Sequence, residues 1–315
     1  MYLLELENVS VKLENCYGKV ATLLHNLSFG IQRGEIIAVV GESGSGKTTL
    51  LRAITALTSP ESNISIGGRV VFEGEDIVFA DPQRLQHLRE GPIRYIFQEP
   101  ALAFNPLSRI RSQVQSLTGK DRYDEKIFIS HLIALGLKEP EAALQSYPYQ
   151  LSTGMLQRIS IALALLNSPA LILADEPTNA IDVIHRSAIL QMLQQSCRDK
   201  NASVLLATHD LHIAERYADT VIVLYAGRIV EQSPAAVFFK QPLHPYSRFL
   251  LDKTPPENID LFTAEDAVRQ TQGNYSTQGC RFQSYCPIVQ DICRKEEPEL
   301  VPLTQNRKVR CPFSK

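Results

Sequence analysis

The sequence has almost no net charge. Thirty-two Lys and Arg residues face 34 Asp and Glu, leaving −2 over 315 residues. That excludes a strongly basic nucleic-acid binder, whose affinity comes from Lys and Arg neutralising phosphates, although a local basic groove remains compatible. There is no long hydrophobic run either. The longest, residues 159–174, is interrupted by Ser160, Asn167, Ser168 and Pro169, and is too short and broken to span a bilayer. The opening MYLLELENVS has acidic residues where a secretory signal needs a basic start and a longer apolar stretch. Repeats and low-complexity tracts are absent. Cysteines are few and unevenly placed: Cys16 and Cys197 stand alone, whereas Cys280, Cys286, Cys293 and Cys311 crowd near the end. A disulfide-stapled miniprotein is excluded, because most of the chain is long enough to bury its own core. The expectation is a cytosolic chain, where clustered thiols read as metal or redox chemistry and isolated ones as small buried residues.

What is present is ordinary for a soluble globular chain, with 44% apolar and 21% charged residues. The length suggests about two domains, or one large domain with an appendage. Alternation at Leu4, Leu6 and Val9, and again at Leu27, Phe29 and Ile31, predicts antiparallel strands with one buried face. Residues 35–40 (EIIAVV) read as a strand buried on both faces. Residues 48–57 read as a helix, and residues 171–174, 203–208 and 220–225 as further strands. A stretch from about residue 84 to 166 is mostly helical and punctuated by prolines, like an inserted subdomain. Strand and helix alternation of this kind predicts an α/β protein with a largely parallel sheet under helices. Beyond Val230 the pattern fades into Pro-rich connections.

GESGSGKT, Gly41 to Thr48, fits the phosphate-binding P-loop pattern, between a strand and a helix as that loop requires. Gly41, Gly44 and Gly46 allow a tight turn that aims successive N–H groups, those of Ser43, Ser45 and Thr49 included, at phosphate oxygens. The helix N-terminus adds its positive end. Lys47 reaches the outer phosphates, and the Thr48 hydroxyl serves Mg²⁺. A second buried strand ends in Asp175–Glu176, placing one carboxylate to hold Mg²⁺ and the next to polarise an attacking water.

In this order the motifs resemble the ATP-binding cassette (ABC) ATPases over nearly all of residues 1–250. LSTGMLQR (151–158) looks like the family signature, Gln98 like its Q-loop glutamine, ILADEPTNAID (172–182) like Walker B with the D-loop, and His209 like the switch histidine. Tyr17 occupies the place of the adenine-stacking aromatic. The resemblance implies a P-loop NTPase cassette with a mixed sheet core, an antiparallel β subdomain and a helical subdomain. It implies ATP and Mg²⁺ as cofactors, with Mg²⁺ near Thr48, Gln98 and Asp175. It also implies head-to-tail pairing, in which Ser152, Thr153, Gly154 and Asp182 face ATP on a second cassette. Thr153 departs from the usual glycine, which suggests unequal sites in a heterodimer.

FQEPALAFNPL (97–107) and HPYSRFLL (244–251) resemble the dipeptide, oligopeptide and nickel importers. Residues 251–315 would then form a small cysteine-bearing extension. By resemblance Cys280, Cys286, Cys293 and Cys311 hold a [4Fe–4S] cluster, with structural zinc or free thiols as alternatives. Such an ATPase needs two membrane permeases, docked through residues 97–109, an extracytoplasmic substrate-binding protein and no nucleic acid. It would work peripherally at the cytoplasmic face of the inner or plasma membrane. Nickel or metallophore import is the nearest alternative. A soluble ABC ATPase is the more distant one, disfavoured because neither a tandem cassette nor a coiled-coil insertion is present.

Overall fold

The computed structural model describes residues 2–14, 18–56, 63–119, 123–252, 278–304 and 306–314. The chain divides into two compact units. One comprises Met1–Leu3, Ile31–Ile36 and Phe79–Leu206; the other comprises Leu4–Gly30, Ile37–Val78 and Ala207–Lys315.

The second unit contains an antiparallel sheet in the order β2-β1-β4-β5, from β1 (Leu4–Glu14), β2 (Val20–Ile31), β4 (Ile64–Phe72) and β5 (Glu75–Asp76). β1 alternates buried and partly exposed residues, as its sequence predicts. Its register with β4 shifts between Glu7 and Ser10. There Gly68 has φ +86, and a Cβ on it would strike the Asn8 backbone, so the bulge requires glycine.

β3 (Ile36–Val40) is buried at every position and runs parallel to β9 (Thr220–Tyr225), with Val40 opposite Val223. β10 (Arg228–Pro234) is antiparallel to β9, and β12 (Arg307–Val309) is antiparallel to β10. β11 (Val301–Thr304) forms the edge, and the short α9 (Ala235–Phe238) follows β10. The core on this sheet gathers Val40, Val221, Val223, Phe238, Tyr246 and Phe282. The described residues of the cysteine-bearing extension continue the sheet and bury Phe282, 3% exposed, in that core.

The first unit holds the helices. β6 (Ile93–Ile96) runs parallel to β7 (Leu171–Asp175), and β8 (Ser203–Thr208), which crosses into the other unit at its end, flanks β7. Around them lie α2 (Pro82–Glu90), α3 (Ile110–Thr118), α4 (Glu125–Ala134), α5 (Pro140–Gln145), α6 (Thr153–Leu166) and α7 (Val183–Lys200). The helical stretch predicted from about residue 84 is therefore present, with β6 as an unforeseen strand. α6 buries Leu156, Ile159, Ile161, Ala162 and Leu165, so its core side spans most of the helix. Among the described residues no helix is long and apolar enough to cross a membrane.

Candidate nucleotide site

In the second unit the P-loop runs from the end of β3 into α1 (Lys47–Ile54), one residue earlier than the sequence suggested and ending short of residue 57. Gly46 has φ +107, and a Cβ there would lie 2.7 Å from a Leu24 methyl. Only glycine fits that turn. Lys47 is 8% exposed, and its Nζ donates to the carbonyls of Gly41 at 2.7 Å and Glu42 at 3.0 Å. Burial raises the Glu42 carboxyl above the usual range, against the pull of Lys47. Ser43 and Gly44 are exposed at the loop tip, Ser45 is buried, and Thr48 and Thr49 are partly exposed. His209 follows β8 and is exposed, and Asp210 caps α8 (Leu211–Tyr217) through the N–H groups of His212 and Ile213. A cavity of about 880 Å³ opens beside His209, lined also by His212, Lys240, Arg248 and Asp252. Tyr17 and Cys16 lie outside the described residues.

In the first unit, Asp175 ends β7 at 2% exposure and accepts a hydrogen bond from Tyr95 Oη at 3.1 Å. Glu176, 7% exposed, has φ +46, a conformation that costs a side-chain-bearing residue energy. Gln98 is exposed just beyond β6, beside Phe97, whose carbonyl accepts from Gln157 of α6 at 3.4 Å. The signature residues open α6. Ser152 is its N-cap, accepting from Met155 N at 3.3 Å, and Ser152 and Thr153 are exposed. A Cβ at Gly154 would lie 3.0 Å from the Ala180 carbonyl, so the D-loop leans on the signature turn.

Asp182 fastens the two. It caps α7 by accepting from His185 N at 3.1 Å, and it pairs with Arg158 at 2.9 Å and His185 Nδ1 at 2.7 Å. The His185 hydrogen bond holds the Asp182 carboxyl below its usual range. Arg158 also donates to the Gly136 carbonyl at 3.1 Å. The sequence placed Asp182 in the D-loop but did not reveal that Arg158, the last signature residue, and His185 anchor it. Nor did it reveal the Tyr95 contact. The i,i+3 spacing of Asp182 and His185 puts both at one helix start, the signal that was available.

The tail cysteines only partly meet expectation. Cys197 is a buried free thiol, as predicted for an isolated cysteine, and Cys280, Cys286, Cys293 and Cys311 are also free. Among the described residues no three or more His, Cys, Asp or Glu side chains stand in metal-ligand geometry, so the expected ligand set is not preformed. The four thiols do border one small cavity with Phe282 and Phe313. Burial, aided by the neighbouring thiols, pushes Cys280 up to about 11. Beside them Arg228, Arg281 and Arg310 line an adjoining cavity with a single carboxylate, Glu297. Three cations against one anion leave a local surplus of positive charge.

Comparison with known proteins matches residues 24–179 to the family described as ABC transporter, and residues 230–293 to the C-terminal region of oligopeptide/dipeptide transporters. Similar relatives include the oligopeptide transport ATP-binding protein OppD of Lactococcus lactis subsp. cremoris, 38% identical over 84% of this chain and 80% of its own length. AppD of Bacillus subtilis, also an oligopeptide transport ATP-binding protein, is 35% identical over 90% of this chain and 89% of its own. The dipeptide transport ATP-binding protein DppD of Bacillus subtilis is 33% identical over 98% and 93%. Among solved structures, a dimeric ATP-binding cassette in a post-hydrolysis state with ADP and phosphate superposes at TM-score 0.64, 28% identical, covering 74% of this chain and 98% of its own.

Proposed function

The chain belongs to the ABC transporter ATP-binding family and is the ATPase subunit of a peptide importer, and we propose that its P-loop holds Mg-ATP for attack by a water that Glu176 polarises. The backbone N–H groups from Ser43 to Thr49 and the positive end of α1 receive the phosphates. Lys47 pairs with the outer two, while Thr48, Asp175 and Gln98 attend Mg²⁺. Water attacks the γ-phosphorus, the bond to the β–γ bridging oxygen breaks, Glu176 takes the water proton, and ADP and phosphate leave. His209 holds the γ-phosphate. The observation that carries this reading is the P-loop itself, a buried lysine poised over a glycine turn at a helix start.

Ser152, Thr153 and Gly154 at the α6 N-terminus, with Asp182 at the start of α7, would face ATP on a second cassette. The Thr153 side chain crowds that approach, which favours a heterodimer with unequal sites. Thr153→Gly is expected to raise turnover of the assembled complex; unchanged turnover and ATP affinity count against it. Leu102 and Leu107, 72% and 86% exposed beyond Gln98, suit contact with two membrane permeases from the cytoplasmic side. A substrate-binding protein outside the membrane would deliver cargo. Peptides are favoured over nickel because residues 230–293 match the peptide-transporter C-terminal region. Peptide uptake by the reconstituted complex tests this; nickel uptake without peptide uptake would overturn it.

A metal at the tail would have to draw the four thiols into a ligand geometry that they do not hold beforehand. Cys280, Cys286, Cys293 and Cys311 border one cavity, and the adjoining arginine surplus offsets a dianionic centre. We assign a [4Fe–4S] cluster, which would cross-link the tail and needs no catalytic role. Anaerobic preparations should contain about four irons per chain by the stoichiometry of such a cluster. Stoichiometric zinc without iron would replace this assignment.

A further inference from the structure

The P-loop is held from behind by residues outside the nucleotide motifs. Tyr246 is 1% exposed, and its hydroxyl accepts a hydrogen bond from the backbone N–H of Glu42 at 3.0 Å. The carbonyl of the same residue accepts from Lys47 Nζ at 3.0 Å. Glu42 is thereby pinned on both sides, its N–H to Tyr246 and its C=O to the phosphate-binding lysine. Tyr246 is itself fixed. It belongs to α10 (Pro245–Leu251), whose N-cap His244 accepts from Tyr246 N through Nδ1 at 3.1 Å. Burial lowers His244 to about 3, so this ring is neutral and free to accept. Pro245 takes the first helical position, where its missing N–H costs nothing.

The tail supports the same arrangement. Phe282, two residues beyond Cys280, meets the Tyr246 ring at 5.5 Å and the Tyr225 ring at 5.4 Å, and the two tyrosines meet at 4.5 Å. A second path starts at Arg281, which donates to the Ala226 carbonyl at 3.2 Å. The next residue, Gly227, donates its N–H to the Ser45 carbonyl at 2.9 Å. The loop is thus held at Glu42 through Tyr246 and Phe282, and at Ser45 through Gly227 and Arg281.

We propose that Tyr246 is a positioning residue for the P-loop, and that through it and Phe282 the cysteine-bearing tail sets nucleotide affinity. This rests on the P-loop binding ATP. The Tyr246→Phe variant keeps the ring and its packing but removes the acceptor, leaving the Glu42 N–H unsatisfied. A lost bond to a buried N–H is worth roughly a 10-fold effect when loop and ligand share it. In the full-length chain, fluorescent ATP titration should show binding about 10-fold weaker for Tyr246→Phe. The Phe282→Leu change should weaken binding in the parent chain, yet add little in the Tyr246→Phe background, because both act along one path. Hydrogen exchange at the P-loop should quicken in both variants. Failure of the parent chain to bind ATP would instead sink the P-loop reading. If the parent binds, parental affinity in both variants, even at a lowered melting temperature, makes these rings merely structural and overturns the proposal. Additive losses overturn the link to the tail.

Discussion

Glu231 lies on β10 with 0% exposure, and sequence reasoning gave it no role. Its carboxylate accepts from Leu243 N at 3.0 Å and His244 N at 2.8 Å, and pairs with Arg307 of β12 at 3.4 Å. One side chain therefore ties the sheet to the start of α10 and to the tail. Glu231→Leu keeps the bulk and removes every acceptor. Two stranded backbone donors cost about 1–3 kcal/mol each. Removing one partner of a buried ion pair costs about 3–5 kcal/mol. These losses overlap, since Arg307 also donates to the Gln241 carbonyl. The expected total is about 4 kcal/mol, a large share of a typical stability of about 5–15 kcal/mol. Urea unfolding followed by circular dichroism should show the midpoint falling with an unchanged slope. Arg307→Met should cost less alone, and the double variant should show a coupling of about 1 kcal/mol or more. A Glu231→Leu chain within about 1 kcal/mol of the parent would mean that the carboxylate does not tie these segments together.

Acid should destabilise the fold below pH 6.5. Burial lowers His25 to about 4, helped by Arg281 and Arg228, and lowers His244 to about 3, helped by Arg310. The unfolded chain takes up protons at about 6.5 that the folded chain refuses, so stability is lost as pH falls through 6.5. His25→Gln should remove about one proton from the slope of stability against pH between about 4 and 6, measured by urea midpoints. Gly154→Ala adds a Cβ 3.0 Å from the Ala180 carbonyl, while alanine favours the helix by about 1 kcal/mol. Melting should therefore change little, whereas ATPase of the assembled complex should fall; unaltered ATPase would show the signature turn tolerates the methyl.

The strands that carry the motifs were legible because they are continuous apolar runs. The predicted bounds 203–208 and 220–225 are those of β8 and β9, and β7 exceeds its prediction by the one residue that matters, Asp175. β4 was not, because Gly67 and Gly68 interrupt it and most of its residues are solvated. β10 hid behind the polar run Glu231, Gln232 and Ser233, and the burial of Glu231 depends on partners farther along the chain, His244 and Arg307. β11 is exposed at every position, so no apolar period marks it. The roles of Tyr246 and Arg158 were hidden because each works through a contact with a distant segment, which composition and spacing do not record. HPY was visible as a motif, but its physics required α10, the P-loop and the tail together.

Glu176, held at φ +46 just after β7, is proposed as the base for ATP hydrolysis. Glu176→Gln keeps the shape and removes the proton acceptor. In the assembled transporter, ATP turnover should fall by about 100-fold or more while ATP remains bound and the cassettes stay paired. Turnover at the parent rate would mean that Glu176 is not the base.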